Sequence, residues 1–295
     1  MTPTAAGWLA EYRRMLKGPE LEEPCDVWLY RPAAFGIVKL LAPTRITPNQ
    51  VTLFNVLPGL ASAAFFWQGT PAACQAGAGL LLATNVLDCV DGMLARVRGA
   101  GSATGHILDG LTDYIIQSAV FVALLHGVAA RDGQVWRTLS YGVPAGLVYA
   151  WWCARVDLLR SEWLARVHGR RRDPHGELAA LRREAQQWRR EGRRRFDRVL
   201  VAAYGLYLRL WQPGAPAPRA DGGVVPANWQ GAKRPVLRLA VLMGPSTHVT
   251  LIAVAGLLGR PEYYLWTGLV AGTVWGLFVT SVDVWRGRAL RAGAA

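Results

Sequence analysis

Four aspartates are the residues of this chain best suited to chemistry. Asp88 and Asp91 lie three apart, Asp109 and Asp113 four apart, in or beside long apolar runs. At helical spacing each pair falls on one face. Asn85 and Gly92 flank the first face, and Gly105 shares the second. Carboxylates in so apolar a setting are costly unless something binds them. An all-oxygen donor set suits a hard divalent cation, Mg2+ or Mn2+, and does not suit zinc. Two such ions held close together would clamp a pyrophosphate and steady both an attacking and a leaving oxygen. Gly92, Ala95 and Gly105 are small, so a ligand can approach closely. Arg96 is placed to pair with a phosphate.

The elements that must position these residues read as membrane-spanning helices. Apolar residues make up 52% of the 295 residues, yet the net charge is +13. The two properties are segregated, with long apolar runs alternating with arginine-rich stretches. That pattern belongs to an all-α, polytopic membrane protein with basic loops, and it argues against a nucleic-acid-binding protein. Six spans are expected, at about 48–67, 72–94, 103–128, 139–154, 235–258 and 263–285. Interfacial amphipathic helices accompany them. Thr47-Pro48-Asn49 marks the start of the first span, and Pro245 is expected to kink the fifth. Cys25, Cys74, Cys89 and Cys153 have no CxxC spacing and read as small apolar residues.

Four regions follow. Residues 1–46 read as a loosely ordered cytoplasmic arm, without a secretory signal, and a juxtamembrane helix. Residues 47–160 carry the first four spans and the acidic residues. Residues 161–234 form a basic insertion in which Leu178, Leu181, Ala185, Trp188, Phe196 and Val199 share one helical face, the mark of a helix on a membrane surface. Its arginines suit anionic lipid head groups. Residues 235–295 carry the last two spans and a tail. Arginines concentrate after spans two and four and near both termini, with Arg131 and Arg137 running against the trend. The bias places both termini in the cytoplasm and the protein in the inner membrane. A water-soluble nucleotide could then reach the carboxylates.

The run Asp88-x2-Asp91-Gly92-x2-Ala95-Arg96-x8-Gly105-x3-Asp109-x3-Asp113 resembles the signature of the CDP-alcohol phosphatidyltransferase family at eight positions over 26 residues. Thr47-Pro48-Asn49-x2-Thr52 resembles that family as well. The resemblance covers about residues 44–160 and reaches the last two spans only in outline. It implies transfer of a phosphate-linked group from a CDP-alcohol donor to a hydroxyl acceptor, with release of CMP. It implies a di-metal site among Asp88, Asp91, Asp109 and Asp113, with Asp113 as general base. It also implies that Gly92, Ala95 and Arg96 hold the CDP part, to which the small or polar Asn85, Asp88 and Gly105 are neighbours. Homodimerisation is a further implication. The residues alone leave a divalent-cation transporter and a non-catalytic CDP-lipid-binding module open.

On the acceptor side, Arg155 and Arg238 are expected near the cytoplasmic ends of spans four and five, where they could form a cationic pocket for a phosphorylated acceptor. Snorkelling, or pairing with Asp157, is the alternative for each. His106 lies beside the acidic face. His248, alone in an apolar run, reads as a packing residue. Trp67, Trp211, Trp229, Trp266 and Trp285 stand near span ends, as interfacial anchors do.

Overall fold

The computed structural model describes residues 5–16, 18, 20–99, 103–167, 169, 174–190, 195–211 and 228–292. All regular structure among them is helical. The order is α1 (Ala5–Arg14), α2 (Arg31–Leu41), α3 (Pro48–Trp67), α4 (Pro71–Arg98), α5 (Ala103–Asp132), α6 (Val135–Val167), α7 (Pro174–Arg190), α8 (Arg195–Trp211), α9 (Trp229–Val241), α10 (Pro245–Leu257) and α11 (Glu262–Ala292), with one π-helical turn, Asp26–Tyr30, before α2.

Local chemistry sets the helix limits near the aspartates. Thr47 caps α3: its side chain accepts from Gln50 N, the Gln50 side chain accepts from Thr47 N at 2.8 Å, and Pro48 follows at the first helical position. At α4 the Thr70 side chain accepts from Ala73 N and Pro71 follows at the first helical position. Gly99 closes α4 in the left-handed region, at φ 60°, a conformation that favours glycine.

Helices α3, α4, α5 and α11, together with the α9–α10 pair, are long and apolar enough to cross a membrane. The expected fourth span lies inside α6. That stretch is diluted by Ser140, Tyr141, Pro144, Tyr149, Trp151 and Trp152 and is less apolar than the rest. The 33 residues of α6 are nonetheless about 50 Å long at a rise of 1.5 Å per residue. The fifth span is two helices. The chain leaves helical geometry at Leu242–Gly244 and re-enters at Pro245, which has no N–H to continue the ladder.

Helix α3 packs antiparallel to α4 and against α5, α4 packs on α10, and α11 packs on α6 and α9. One core joins Phe66, Leu81, Leu124, Ile252 and Tyr264. A second joins Trp152, Trp163, Trp229 and Leu237. Within a bilayer the lipid tails are as apolar as these side chains, so close packing and interhelical hydrogen bonds carry the association. The bond from Ser62 Oγ on α3 to the Gly77 carbonyl on α4, 2.7 Å and fully buried, is one such contact.

Three expectations need correction. The amino-terminal arm is not loose where it is described. Met15 and Leu21 are buried, and Glu22 forms a 2.8 Å ion pair with Arg31 in which both side chains are almost wholly enclosed. Glu23, 2% exposed, accepts hydrogen bonds from Thr247 N (2.9 Å), Thr247 Oγ1 (3.1 Å) and Arg160 (3.2 Å). It thereby caps α10 where the fifth span breaks. A side chain at Gly244 would collide with it, since an added Cβ would lie 2.2 Å from the Glu23 carboxyl carbon. Burial pushes the Glu23 carboxyl above the usual range, against the lowering influence of Arg160.

The second correction concerns the basic insertion, which is a pair of helices, α7 and α8, packed on each other and on α5. Leu178 and Leu181 are buried, whereas Val199 is 66% exposed and lies off their face. The side chains of Trp188 and Phe196 lie outside the described residues. Third, Trp229 is no interfacial anchor. It is buried against Trp163, with the Arg166 guanidinium over its ring. Trp67, Trp266 and Trp285 are exposed, while the Trp211 side chain lies outside the described residues. All four cysteines are free thiols.

Candidate active site

The four aspartates converge where the end of α4 meets the beginning of α5. Carboxylate oxygens of Asp88, Asp91 and Asp109 all lie within 4.8 Å of one another. Asp113, one turn beyond Asp109, lies beside Asp88. Three oxygens at that spacing can ligate a common cation. Asp91 is the most enclosed, at 5% exposure, and the other three are half-buried. Neither nearby arginine neutralises the cluster as a structural ion pair. Arg98 donates instead to the carbonyls of Leu41 (2.8 Å), Ala42 (3.3 Å) and Thr44 (2.9 Å), and also to that of Ile46, closing the end of α2. The donor set, all oxygen and strongly negative, fits a hard divalent cation.

Helix α3 supplies the layer behind the carboxylates. Thr52, 4% exposed, donates from Oγ1 to Asp91 Oδ2 at 2.6 Å. Asn55, one turn on, is 3% exposed, and its side-chain oxygen has no hydrogen-bond partner among the described residues. A buried, unsatisfied oxygen beside a carboxylate cluster is a costly arrangement unless a ligand answers it. Asn85, one turn before Asp88, is buried next to the Tyr30 hydroxyl, which shares a 2.7 Å hydrogen bond with Thr250 of α10.

The residues expected around a nucleotide follow the carboxylates along α4. Gly92 and Ala95 are half-buried. The Arg96 guanidinium folds back over Gly92, so that an added Cβ there would lie 3.6 Å from Nη1. Its Nε donates to the Met15 carbonyl at 2.7 Å, tying the amino-terminal arm to the site. Gly105 is half-buried on α5, and His106 beside it is exposed.

The expected acceptor residues have separate settings. Arg155 of α6 pairs not with Asp157 but with Asp283 of α11, whose other oxygen takes Lys233 of α9 at 2.6 Å. Two cations thus share one carboxylate, leaving a net positive charge. Arg238 is exposed on α9. His248 is fully buried as a packing residue, its Nδ1 hydrogen-bonded to Tyr264 at 3.1 Å.

Several residues were missed from sequence. Asp283, a lone acid in an apolar run, had a signal: such residues pair inside the bundle. Gln117 lies one turn beyond Asp113 on the same face and accepts from the Tyr149 hydroxyl at 3.3 Å. It extends the polar face of α5 deeper into the bundle. Glu23 and Lys233 carried no local signal, because their partners Thr247 and Asp283 lie 224 and 50 residues away.

Residues 45–175 match the family model described as CDP-alcohol phosphatidyltransferase. Among curated proteins, the chain is 36% identical over 105 residues to archaetidylinositol phosphate synthase of Pyrococcus horikoshii, covering 35% of this chain and 53% of that one. It is 33% identical over 118 residues to phosphatidylinositol phosphate synthase of Mycobacterium marinum, covering 39% and 47%. It is 29% identical over 173 residues to phosphatidylinositol phosphate synthase of Corynebacterium glutamicum, covering 58% and 68%. The chain spans about half the length of the first two relatives.

Proposed function

We propose, from the match of residues 45–175 to the CDP-alcohol phosphatidyltransferase family model, that this chain belongs to that family and transfers a substituted phosphate group from a CDP-alcohol to an acceptor hydroxyl. The observation that carries this reading is the meeting of Asp88, Asp91 and Asp109 oxygens within 4.8 Å, with Asp113 beside Asp88. Asp88, Asp91, Asp109 and Asp113 would hold two ions, Mg2+ or Mn2+. When bound, these supply charge neutralisation at the donor pyrophosphate and the departing phosphate.

The chain's own residues divide the remaining work. Thr52 holds Asp91 in orientation, and Arg96 pairs with a donor phosphate above Gly92, where the missing side chain leaves room. The CDP part lies along Asn85, Asp88, Gly92, Ala95 and Gly105. Asp113 accepts the proton of the acceptor hydroxyl. That oxygen bonds to the phosphorus bearing the alcohol, the bond from this phosphorus to the bridging oxygen breaks, and CMP leaves with it.

Two of the relatives' names share an inositol phosphate head group on different lipids. That favours a phosphorylated polyol as acceptor and a lipid CDP-alcohol, such as CDP-diacylglycerol, as donor. Arg155, with Lys233 sharing its carboxylate, is the best-supported cation for the acceptor phosphate, and Arg238 and His106 are outer candidates. Six spans, counting α6, return both termini to one side, which arginine placement makes the cytoplasm of a cell with this enzyme in its inner membrane. A homodimer is the assembly expected.

The test is CMP release by the purified protein with CDP-diacylglycerol, Mg2+ and a panel of hydroxyl acceptors. Asp113→Asn is expected to lower the rate by about 10²- to 10⁴-fold while still binding donor. CMP release from no CDP-alcohol would refute the reading, and metal uptake into vesicles without CMP release would favour a transporter.

A further inference from the structure

The α7–α8 hairpin belongs to none of the machinery described above, yet it is fixed to it. Leu178 and Leu181 of α7 and Val201 and Tyr204 of α8 bury themselves against Ile107 of α5, with Leu111 packed alongside. Ile107 and Leu111 flank Asp109 in sequence. The hairpin is therefore seated on the helix that carries two of the four aspartates.

Between α7 and α8 lies a groove of about 460 Å³. Arg182 and Arg189 line it from α7, and Arg198 and Arg209 from α8; no acidic residue is among the described residues that line it. Apart from Gln186, the rest of its described wall is apolar or glycine, including Val201 and Leu206. Arg182 is directed across α8 at Gly205, where an added Cβ would stand 2.7 Å from Arg182 Nη2. Beside the groove, Val199, Ala202 and Leu206 follow at helical spacing and are exposed, Val199 at 66% and Leu206 at 58%. Four like charges lining one groove favour an anion there, and the apolar stripe next to them adds nothing to the binding of a small soluble anion.

We propose that this groove is a binding site for one anionic phospholipid of the surrounding membrane. The guanidinium groups take the phosphate, by the paired N–H geometry that arginine offers. The acyl chains run along Val199, Ala202 and Leu206. A single-sign charge beside an exposed apolar stripe on an amphipathic helix is the arrangement that binds anionic interfaces. The site is separate from the aspartate cluster and does not depend on the reaction proposed there.

The full chain, purified in a mild detergent, can be tested by native mass spectrometry. It is titrated with phosphatidylglycerol or phosphatidylcholine, with inorganic phosphate or glycerol phosphate as competitor. Phosphatidylglycerol is expected to bind at least tenfold more tightly than phosphatidylcholine and to resist millimolar phosphate. Arg182→Gln with Arg198→Gln should lower its affinity roughly tenfold to thirtyfold. Gly205→Leu removes no charge and improves helix propensity, yet should lower affinity by displacing Arg182. Arg137→Gln, a charge loss far along the chain on α6, should change it less than twofold. Unaltered preference in the double variant or in Gly205→Leu would overturn the proposal. So would an equal loss in Arg137→Gln, which would mark overall charge as the cause. Displacement by millimolar phosphate would overturn it too, and would reassign the groove to a small anion.

Discussion

Removing the Thr52 hydroxyl should weaken the proposed metal site without unmaking it. Thr52 has one hydroxyl proton and two acceptors in reach, Asp91 Oδ2 at 2.6 Å and the Pro48 carbonyl at 3.2 Å. The shorter, charge-assisted bond takes it. Both Thr52 and Asp91 are at least 95% enclosed, so no bulk water replaces the hydroxyl once it is gone. A buried hydrogen bond to a charged group contributes about 1.5–3 kcal/mol, and about 1.4 kcal/mol is tenfold in affinity. Thr52→Val keeps the shape and loses the donor. The Mg2+ concentration giving half-maximal CMP release should then rise roughly tenfold to hundredfold, the range seen when a ligand's outer partner is removed. The rate at saturating Mg2+ should fall much less. Thr52→Ser, which restores the hydroxyl, should return most of the lost affinity. A Thr52→Val enzyme with the metal dependence of the wild type would show that Asp91 does not rely on this bond, and the reasoning would fail.

Other perturbations follow from the same contacts. Because burial raises the Glu23 carboxyl, the folded state holds its proton to a higher pH than the unfolded chain does. The associated stability is present below the unfolded pKa and is lost as pH rises through the folded one. Thermal unfolding in detergent should therefore show stability declining across that window in the wild type and a flatter profile in Glu23→Gln. Arg98→Ala uncovers the carbonyls at the end of α2 and should cost about 1–3 kcal/mol, read as a lowered Tm with CMP release per folded molecule little changed. Asp283→Asn leaves Arg155 and Lys233 without their shared charge; given their partial exposure, a loss of about 2 kcal/mol is expected. If the two cations serve the acceptor, the same variant changes KM for a phosphorylated acceptor and leaves KM for the donor alone.

The aspartate constellation was legible because helical spacing is a local property. Two residues at i, i+3 and two at i, i+4, joined by a short connection, have few ways to avoid one another. The helix limits near Thr47 and Gly99 were legible for the same reason, since caps are written within a few residues. Long-range partners were not. Nothing near Glu23 predicts a bond to Thr247, and a glutamate-rich arm reads as solvated until Arg31 and the end of α10 are brought to it. The insertion misled differently: residues 178–199 keep an amphipathic period through what proves to be two helices, because both bury an apolar face against α5. Val199 exposes the flaw, for it continues the period and faces outward. Trp229 looked like an anchor because position along a span says nothing about which side of the helix faces lipid.

The bond from Arg96 to the main chain at Met15 bears on how small this protein could be made. A version beginning at Thr47 would retain the whole aspartate signature and every helix that touches it in sequence. It would nonetheless release the Arg96 guanidinium from its tether and uncap the second half of the fifth span, two losses in places the signature does not mention. Pruning from that end would thus yield a protein that looks intact by motif and is loosened at both the proposed nucleotide side and the far wall.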